Sequence, residues 1–393
     1  MKKLQLALAA LLLSGACALP ASPASAASKP ITVQIDQKAL SFGDLTPVQQ
    51  EGTVLVPMRA LFQKYGAQAS LDAKTGVITG AKNGLRIQLQ LGSKRATING
   101  QAVQLSLAPQ KINGTVYVPL RLIGEAFGCS VAWNAKSGMV SITSPADPSG
   151  IKTLLSQYVE YSNTENLEGF MSLFTSDSPL NVPAVRSQIQ AALAASDMKT
   201  AVEQASILKL QGNDAIVQTV ESTSHISGPY EPDQRSSNTY HLIYAKDNWR
   251  IRDVTINGVQ YLLSDAQRNV QLTVPAEDAE AVQTVLKNYY DYAAKKQADA
   301  LFGLFEKEPQ ASEQAGYTQA FQNYDLAYTV ENSRIIAYSG KECALLFNVA
   351  IRKVKGSDYK DNRNEIVFRM VKNADGQWKI GGTFVIGSTP LNP

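Results

Sequence analysis

The stretch GTVYVPLRLIGEAFGCSVAW, starting at Gly114, nearly repeats GTVLVPMRALFQKYGAQASL, starting at Gly52. Pro57 and Pro119, Arg59 and Arg121, and Gly66 and Gly128 all keep one register of 62 residues. Each residue type has a structural reason to recur. Val116-Tyr117-Val118 alternates toward a strand, and Pro119 suits the opening of a helix, where its missing N–H is not needed. Leu120, Ile123 and Phe127 form one apolar helical face. Gly128 stands where a left-handed residue stops a helix, and CSVAW resumes as a strand. Met58, Leu61, Tyr65 and Gly66 match in the first copy. Ile98-Asn99-Gly100 is a strong hairpin signal, with Ile35-Asp36-Gln37 as its weaker counterpart. The expectation is two strand–strand–helix–strand units side by side over residues 29–143, each covering the other's apolar side.

A second duplication follows. LLSQYVEYSNTENLEGFMSLF (154–174) aligns without gaps to VLKNYYDYAAKKQADALFGLF (285–305), pairing Tyr158 with Tyr289, Tyr161 with Tyr292 and Phe174 with Phe305. Farther on the offset becomes 129, pairing Trp249 with Trp378 and Ile251 with Ile380. Each half begins with helical periodicity. AIVQTVEST, TYHLIYA and WRIRDVTI then read as strands, as do ALLFNVAIRKV, NEIVFRMV and WKIGGTFVI. Helices followed by an antiparallel meander predict α+β units with helices on one sheet face, over 150–265 and 277–390. SPADPSG (144–150) has linker composition.

At 393 residues the chain exceeds one ordinary core. Its 44% hydrophobic and 18% charged residues describe a globular protein. The formal net charge of +3, carried in no block of like charge, argues against a nucleic-acid partner. Met1-Lys2-Lys3, an apolar run and Ala24-Ser25-Ala26 read as an export signal cleaved after Ala26, residues 1–26 being the leader. Lipoprotein processing at Cys17 is the rival. No later run approaches the ~20 apolar residues of a membrane span, so no transmembrane segment is expected in the mature chain. Cys129 and Cys343 read as small buried side chains, and nothing has metal-site spacing.

With those residues in view, the first module resembles the copper amine oxidase N-terminal-like family, a stalk-like module of exported proteins in Gram-positive bacteria. The resemblance rests on GTVLVPMRAL and GTVYVPLRLI, on Gly66 and Gly128, and on VAWNAKSGMVSI with its echo ASLDAKTGVIT. It implies neither copper nor oxidation. The two later units resemble the nuclear-transport-factor-2-like (cystatin-like α+β) superfamily in pattern: helices, then a curved meander with a tryptophan before a late strand. That fold hosts isomerases, hydratases, ligand binders and scaffolds.

Asn323-Tyr324-Asp325 has the form of the motif that copper amine oxidases convert into their quinone. Such enzymes hold copper with three histidines, however, and this chain has only His225 and His241. No cofactor and no metal are expected, and Tyr324 is expected where a helix meets a strand. His225 and His241 are the acid/base candidates. They would lie near one another if their strands pair, although at offset 129 their counterparts are Val354 and Met370. A packed or solvent-facing histidine is the favoured reading.

Tyr158, Tyr161, Tyr289 and Tyr292, with Tyr290, could line a concave pocket, against the simpler reading that they pack on the sheet. Arg59 and Arg121 sit unfavourably for the helix dipole, so each should have an internal carboxylate or carbonyl partner. Glu165/Glu168 and Glu277/Asp278 read as solvated helix starts. The sequence thus points to an exported, non-catalytic binding or scaffold protein of the cell envelope, secreted or surface-associated, with wall glycan or a surface protein as partner. The alternative is an isomerase- or hydratase-like enzyme, or metabolite binder, with a pocket in 150–265.

Overall fold

The computed structural model describes residues 29–356 and 359–391. The leader ending at Ala26 and the Cys17 alternative lie outside the described residues. The chain forms two compact units, one running through Phe127 and including Val131–Thr143, the other containing Gly128–Ser130 and the chain from Ser144 onward.

In the first unit each copy of the repeat is a hairpin, a second hairpin, a helix and two further strands. Copy one is β1 (Thr32–Ile35), β2 (Lys38–Ala39), β3 (Val48–Gln50), β4 (Thr53–Pro57), α1 (Met58–Lys64), β5 (Gln68–Leu71) and β6 (Val77–Lys82). A linking strand β7 (Leu85–Gln90) leads into copy two: β8 (Arg95–Ile98), β9 (Gln101–Gln104), β10 (Gln110–Ile112), β11 (Thr115–Pro119), α2 (Leu120–Ala126), β12 (Ser130–Asn134) and β13 (Met139–Thr143).

The copies do not stand side by side as expected; they interlock. β4 pairs with β11 at the centre of the sheet β10-β11-β4-β3, and β1 of copy one runs parallel to β13 of copy two. The end of copy one continues through β7 into the opening hairpin of copy two. No copy therefore owns a complete sheet, which is why the repeat must occur twice.

Pro57 and Pro119 end strands and act as N-caps, with Met58 and Leu120 opening the helices one residue later than the sequence suggested. Proline serves both roles because its backbone angle fits an extended strand end, and each proline has an extended ψ here. Gly66 and Gly128 take φ of +64° and +76°. At the first, Gly66 and Ala67 donate back to the Gln63 and Phe62 carbonyls, a pattern that needs the left-handed residue. The echo NAKSG/DAKTG is also explained. Asp72 Oδ1 accepts from the Lys74 and Thr75 N–H groups, and Asn134 Oδ1 accepts from those of Lys136 and Ser137.

Bulk is exchanged between the copies. The Phe62 ring lies on Gly80, where an added Cβ would come within 2.0 Å of it. In the same register copy two has Gly124 for Phe62 and Ile142 for Gly80. The large residue sits on the helix in one copy and on the strand in the other.

The second unit holds both α+β repeats. The first comprises α3 (Ser149–Asn163), α4 (Leu167–Ser172), α5 (Pro183–Ala195), β14 (Asp197–Gln211), β15 (Asp214–Ser227), β16 (Asp233–Ala245) and β17 (Asn248–Leu262). After the short α6 (Asp265–Arg268) come α7 (Ala276–Ala294), α8 (Ala298–Phe302), α9 (Ala311–Asn323), β18 (Asp325–Tyr338), β19 (Glu342–Lys355), β20 (Asn362–Lys372) and β21 (Trp378–Pro390). Both sheets are antiparallel meanders in chain order.

Each first helix packs on its sheet through equivalent residues: Ile151, Leu154, Leu155 and Tyr158 in one, Val282, Val285, Leu286 and Tyr289 in the other. Trp249 and Trp378 pin the helix starts. The Trp249 indole donates to the Asp147 carbonyl at 2.8 Å, and the Trp378 indole donates to Asp278 Oδ1 at 3.0 Å. Asp278 is therefore not a solvated helix residue. Tyr338 and Lys372 also donate to it, each at 2.6 Å. These donors, Lys372 first, hold its carboxyl at about 2.

β19 is buried on both faces, which explains its unbroken apolar run. Cys343, Leu345, Phe347 and Val349 face the helices. Ala344 and Leu346 face outward under Tyr230, Leu263 and Val270 from the first repeat and its linker. Arg268 pairs with Glu365 across this contact, and the Tyr230 N–H donates to Glu342. The two repeats thus bury a small apolar patch between them, separate from their own cores.

Candidate functional site

The concave face of the first sheet is polar where an interior is ordinarily apolar. Strand alternation turns Ala215, Val217, Thr219 and Glu221 of β15 toward the helices, and β16 adds Asn238, Tyr240 and Leu242 on the same face. Thr219, Glu221, Asn238 and Tyr240 are all at most 5% exposed. The Thr219 hydroxyl donates to Glu221 Oε1 at 2.6 Å, and the Tyr240 hydroxyl donates to the same oxygen at 2.7 Å. Tyr158 reaches in from α3 with its ring edge-on to Tyr240. Burial, with the Glu221 charge behind it, pushes the Tyr158 phenol up to about 12. The Tyr240 phenol is raised for the same reasons, burial leading.

The carboxylate is thus held by two charge-assisted hydrogen bonds, the strong kind. Asn238 Oδ1, on the strand opposite Thr219, is a buried acceptor with no protein partner, and His225 Nε2 is another, four residues, about 13 Å, farther along β15 beside Tyr230. Of these atoms, Asn238 Oδ1 is the one near Glu221 that is free to accept a hydrogen bond.

The second repeat has none of this. Strand pairing makes Ala215–Leu242 equivalent to Cys343–Met370, which fixes an offset of 128 through these strands. Thr219, Glu221, Asn238 and Tyr240 are then replaced by Phe347, Val349, Ile366 and Phe368. All four replacements are buried. Phe347 and Phe368 pack edge-to-face at 4.8 Å, and Tyr289 and Tyr290 close over them. Burial drives the Tyr289 phenol well above its ordinary value, and its hydroxyl meets that of Tyr317 at 3.0 Å.

The same offset corrects the histidines. Their counterparts are Lys353 and Arg369, one residue before those suggested by the tryptophan offset, because the β20–β21 turn between the paired Lys372 and Trp378 is one residue longer than the β16–β17 turn between the paired Tyr244 and Trp249. Nor do His225 and His241 meet. Their strands pair, but His241 faces Ile216, nine residues along β15 from His225. That is about 30 Å at ~3.3 Å per residue, and an odd separation puts them on opposite faces. His241 lies outside, with Nε2 3.2 Å from Asp214 and Nδ1 3.5 Å from Asp253. An acid/base pair is excluded by register.

Of the other expected residues, Tyr158 and Tyr289 lie in the two cores. Tyr161 lines a cleft at the start of α3, and Tyr292 is half-buried. Arg121 donates to the Val131 carbonyl at 2.9 Å and meets Glu125 at 3.3 Å, while Arg59 is exposed. Tyr324 caps α9 just before β18 and packs beside Tyr359. Glu168 pairs with Arg186. Cys129 and Cys343 are buried, and burial pushes the Cys343 thiol up to about 12. Among the described residues no group of three His, Cys, Asp or Glu side chains is placed to hold a metal ion. Glu221 and Asn238 were not anticipated; the signal was Glu221 at an inward position of the alternating run AIVQTVEST.

Comparison with known proteins agrees with this division. The family model described as copper amine oxidase N-terminal domain matches residues 34–142. The model described as anti-sigma-I factor RsgI9, C-terminal domain matches twice, at 153–262 and 284–391, together more than half of the chain. No curated protein matches. Among solved structures, a cystatin-like-fold protein from Nostoc punctiforme is 11% identical, covering 31% of this chain and 98% of that one, with a TM-score of 0.26. A cystatin-like-fold protein from Caulobacter vibrioides is 18% identical, covering 30% and 92%, with a TM-score of 0.24.

Proposed function

The chain belongs to the family of the anti-sigma-I factor RsgI9 C-terminal domain, which it carries in two copies, and from that premise we propose that it is a non-catalytic binding protein of the bacterial cell envelope. The leader exports it, residues 29–143 form a stalk, and two α+β units at 150–265 and 277–390 meet the ligand or partner. The four-position exchange on the concave faces carries the reading. The second copy is a filled scaffold, and the first keeps Glu221 bound by Thr219 and Tyr240 rather than presented as a base. The family name, that of an anti-sigma factor domain, fits a module that senses a ligand and passes the signal to another protein. Among the described residues no helix is long and apolar enough to cross a membrane.

A second reading, a metabolite-binding or isomerase-like pocket in 150–265, draws on one observation: the partnerless Asn238 Oδ1 near Glu221. Capture of the purified chain on cell wall or surface proteins, run beside a metabolite thermal-shift screen, separates the two. Binding to wall or to a surface protein, with no metabolite stabilising the fold, is the expected result. A metabolite that stabilises the chain and is turned over would replace it with the second reading.

A further inference from the structure

At the mouth of the first α+β repeat, α3, the end of α4 and the β16–β17 hairpin enclose a cleft of about 400 Å³. That is within the size range of small-molecule sites. Tyr161 and Tyr244 supply aromatic surface, with Tyr244 edge-on to Trp249 at 5.4 Å. Gln157, Thr153 and Asn248 supply amide and hydroxyl groups on its walls.

Two of the three charged residues there are engaged by the protein itself, and the third, Asp247, lies exposed in the β16–β17 turn. Both Asp147 carboxylate oxygens are bonded to Ser149, through its N–H at 2.9 Å and its hydroxyl at 2.8 Å. Arg250 donates to the Ser172 carbonyl. What remains for a ligand is aromatic surface, neutral hydrogen-bonding groups and the Asp247 carboxylate, which can accept from hydroxyls. That combination suits an uncharged polyhydroxylated molecule, whose rings carry apolar C–H faces and polar edges.

The second repeat shows the same place closed. Its strand pairing puts Lys372 where the first repeat has Tyr244. Lys372 donates to Asp278 at 2.6 Å and lies over the Trp378 ring at 5.1 Å, bridging the helix start to the hairpin. In the first repeat Asp147 offers Trp249 only its backbone carbonyl, and no such bridge spans the opening.

We propose that the cleft between Tyr161 and Tyr244 is a saccharide site, present once per chain, in the first α+β repeat. It deepens the envelope-binding reading and rests on it for the choice of saccharide. The Gln157 and Asn248 amides complement the acetamido groups of an N-acetylated sugar, which could come from free oligosaccharide or from intact wall glycan.

The test is calorimetric titration of the full chain with the N-acetylglucosamine trimer, run beside co-sedimentation with purified peptidoglycan. One site per chain is expected. Tyr161→Ala and Tyr244→Lys should each weaken it at least tenfold, and Tyr292→Ala, at the equivalent place in the second repeat, should not. Gln157→Ala, on the cleft wall, provides a milder variant should Tyr244→Lys lower the melting temperature, and should weaken binding several-fold with the melt unchanged. Trimer binding without wall binding would identify free oligosaccharide as the source. Wall binding that survives all the cleft variants overturns the saccharide site while leaving the envelope reading intact. Absence of trimer binding by the unaltered chain also overturns it.

Discussion

Tyr240→Phe removes one hydroxyl from a site that is 1% exposed and donates at 2.7 Å to a buried carboxylate. A hydrogen bond to a charged group contributes about 1.5–3 kcal/mol net. Unfolding of a unit of this size shifts by about 2–4 °C per kcal/mol, so the melting temperature should fall by about 3–12 °C. The reverse exchange, Phe368→Tyr, puts a hydroxyl against Phe347 in the second core, where all four equivalent positions are apolar. An unsatisfied buried hydroxyl costs about 1–3 kcal/mol, so this variant should also be destabilised.

Equal and opposite chemistry thus has the same sign in both copies. The assay is urea denaturation followed by circular dichroism at neutral pH. In a Glu221→Gln background the cost of Tyr240→Phe should shrink toward the ~1 kcal/mol of a neutral pair. A neutral or stabilising Tyr240→Phe would refute the reasoning, because the hydroxyl would then not be holding the carboxylate. A neutral Phe368→Tyr would show that the second concavity holds water.

Two other expectations concern the remaining packing. Gly80→Ala drives a Cβ into the Phe62 ring and should cost about 1–3 kcal/mol or more; Phe62→Leu in the same chain should recover part of it, read by thermal denaturation. Asp278 is held at about 2, below its ordinary 3.8. Its contribution is therefore present above the ordinary carboxylate value and is lost as pH falls from 3.8 toward about 2. Asp278→Asn should flatten the acid limb of the stability profile over that window, and an unchanged limb would show that the Lys372 bridge does not form.

Much of this was legible in the sequence for physical reasons. Proline, apolar helix face and glycine recur in the N-terminal repeat because each is demanded by backbone geometry, and geometry leaves a pattern. Interlocking left none, since β1 meets β13 from the far end of the module. The edge strands β14 and β18 were not foreseen: their pairing shifts at several irregularities, such as Val202/Gln204 and Val330/Asn332, and these break the alternation a strand shows. Histidine proximity depended on register, which a turn and its spacing did not fix. Glu221 was visible as an acid on an inward face. Its partners Tyr240 and Tyr158 come from a different strand and a helix, so the cluster could be assembled only in three dimensions. The one-residue change of offset hid the polar-to-apolar exchange in the same way.

The asymmetry between the two copies is open to direct measurement, because the chain has three tryptophans, one in the N-terminal module and one in each α+β core. Their indole N–H signals in a ¹H–¹⁵N spectrum can be followed while the N-acetylglucosamine trimer is added. Trp249, beside the open cleft, should shift with saturation at one equivalent, while Trp378, under Lys372, and Trp133 stay in place. Movement of Trp378 or Trp133 instead of Trp249, or no movement at all, would contradict the account.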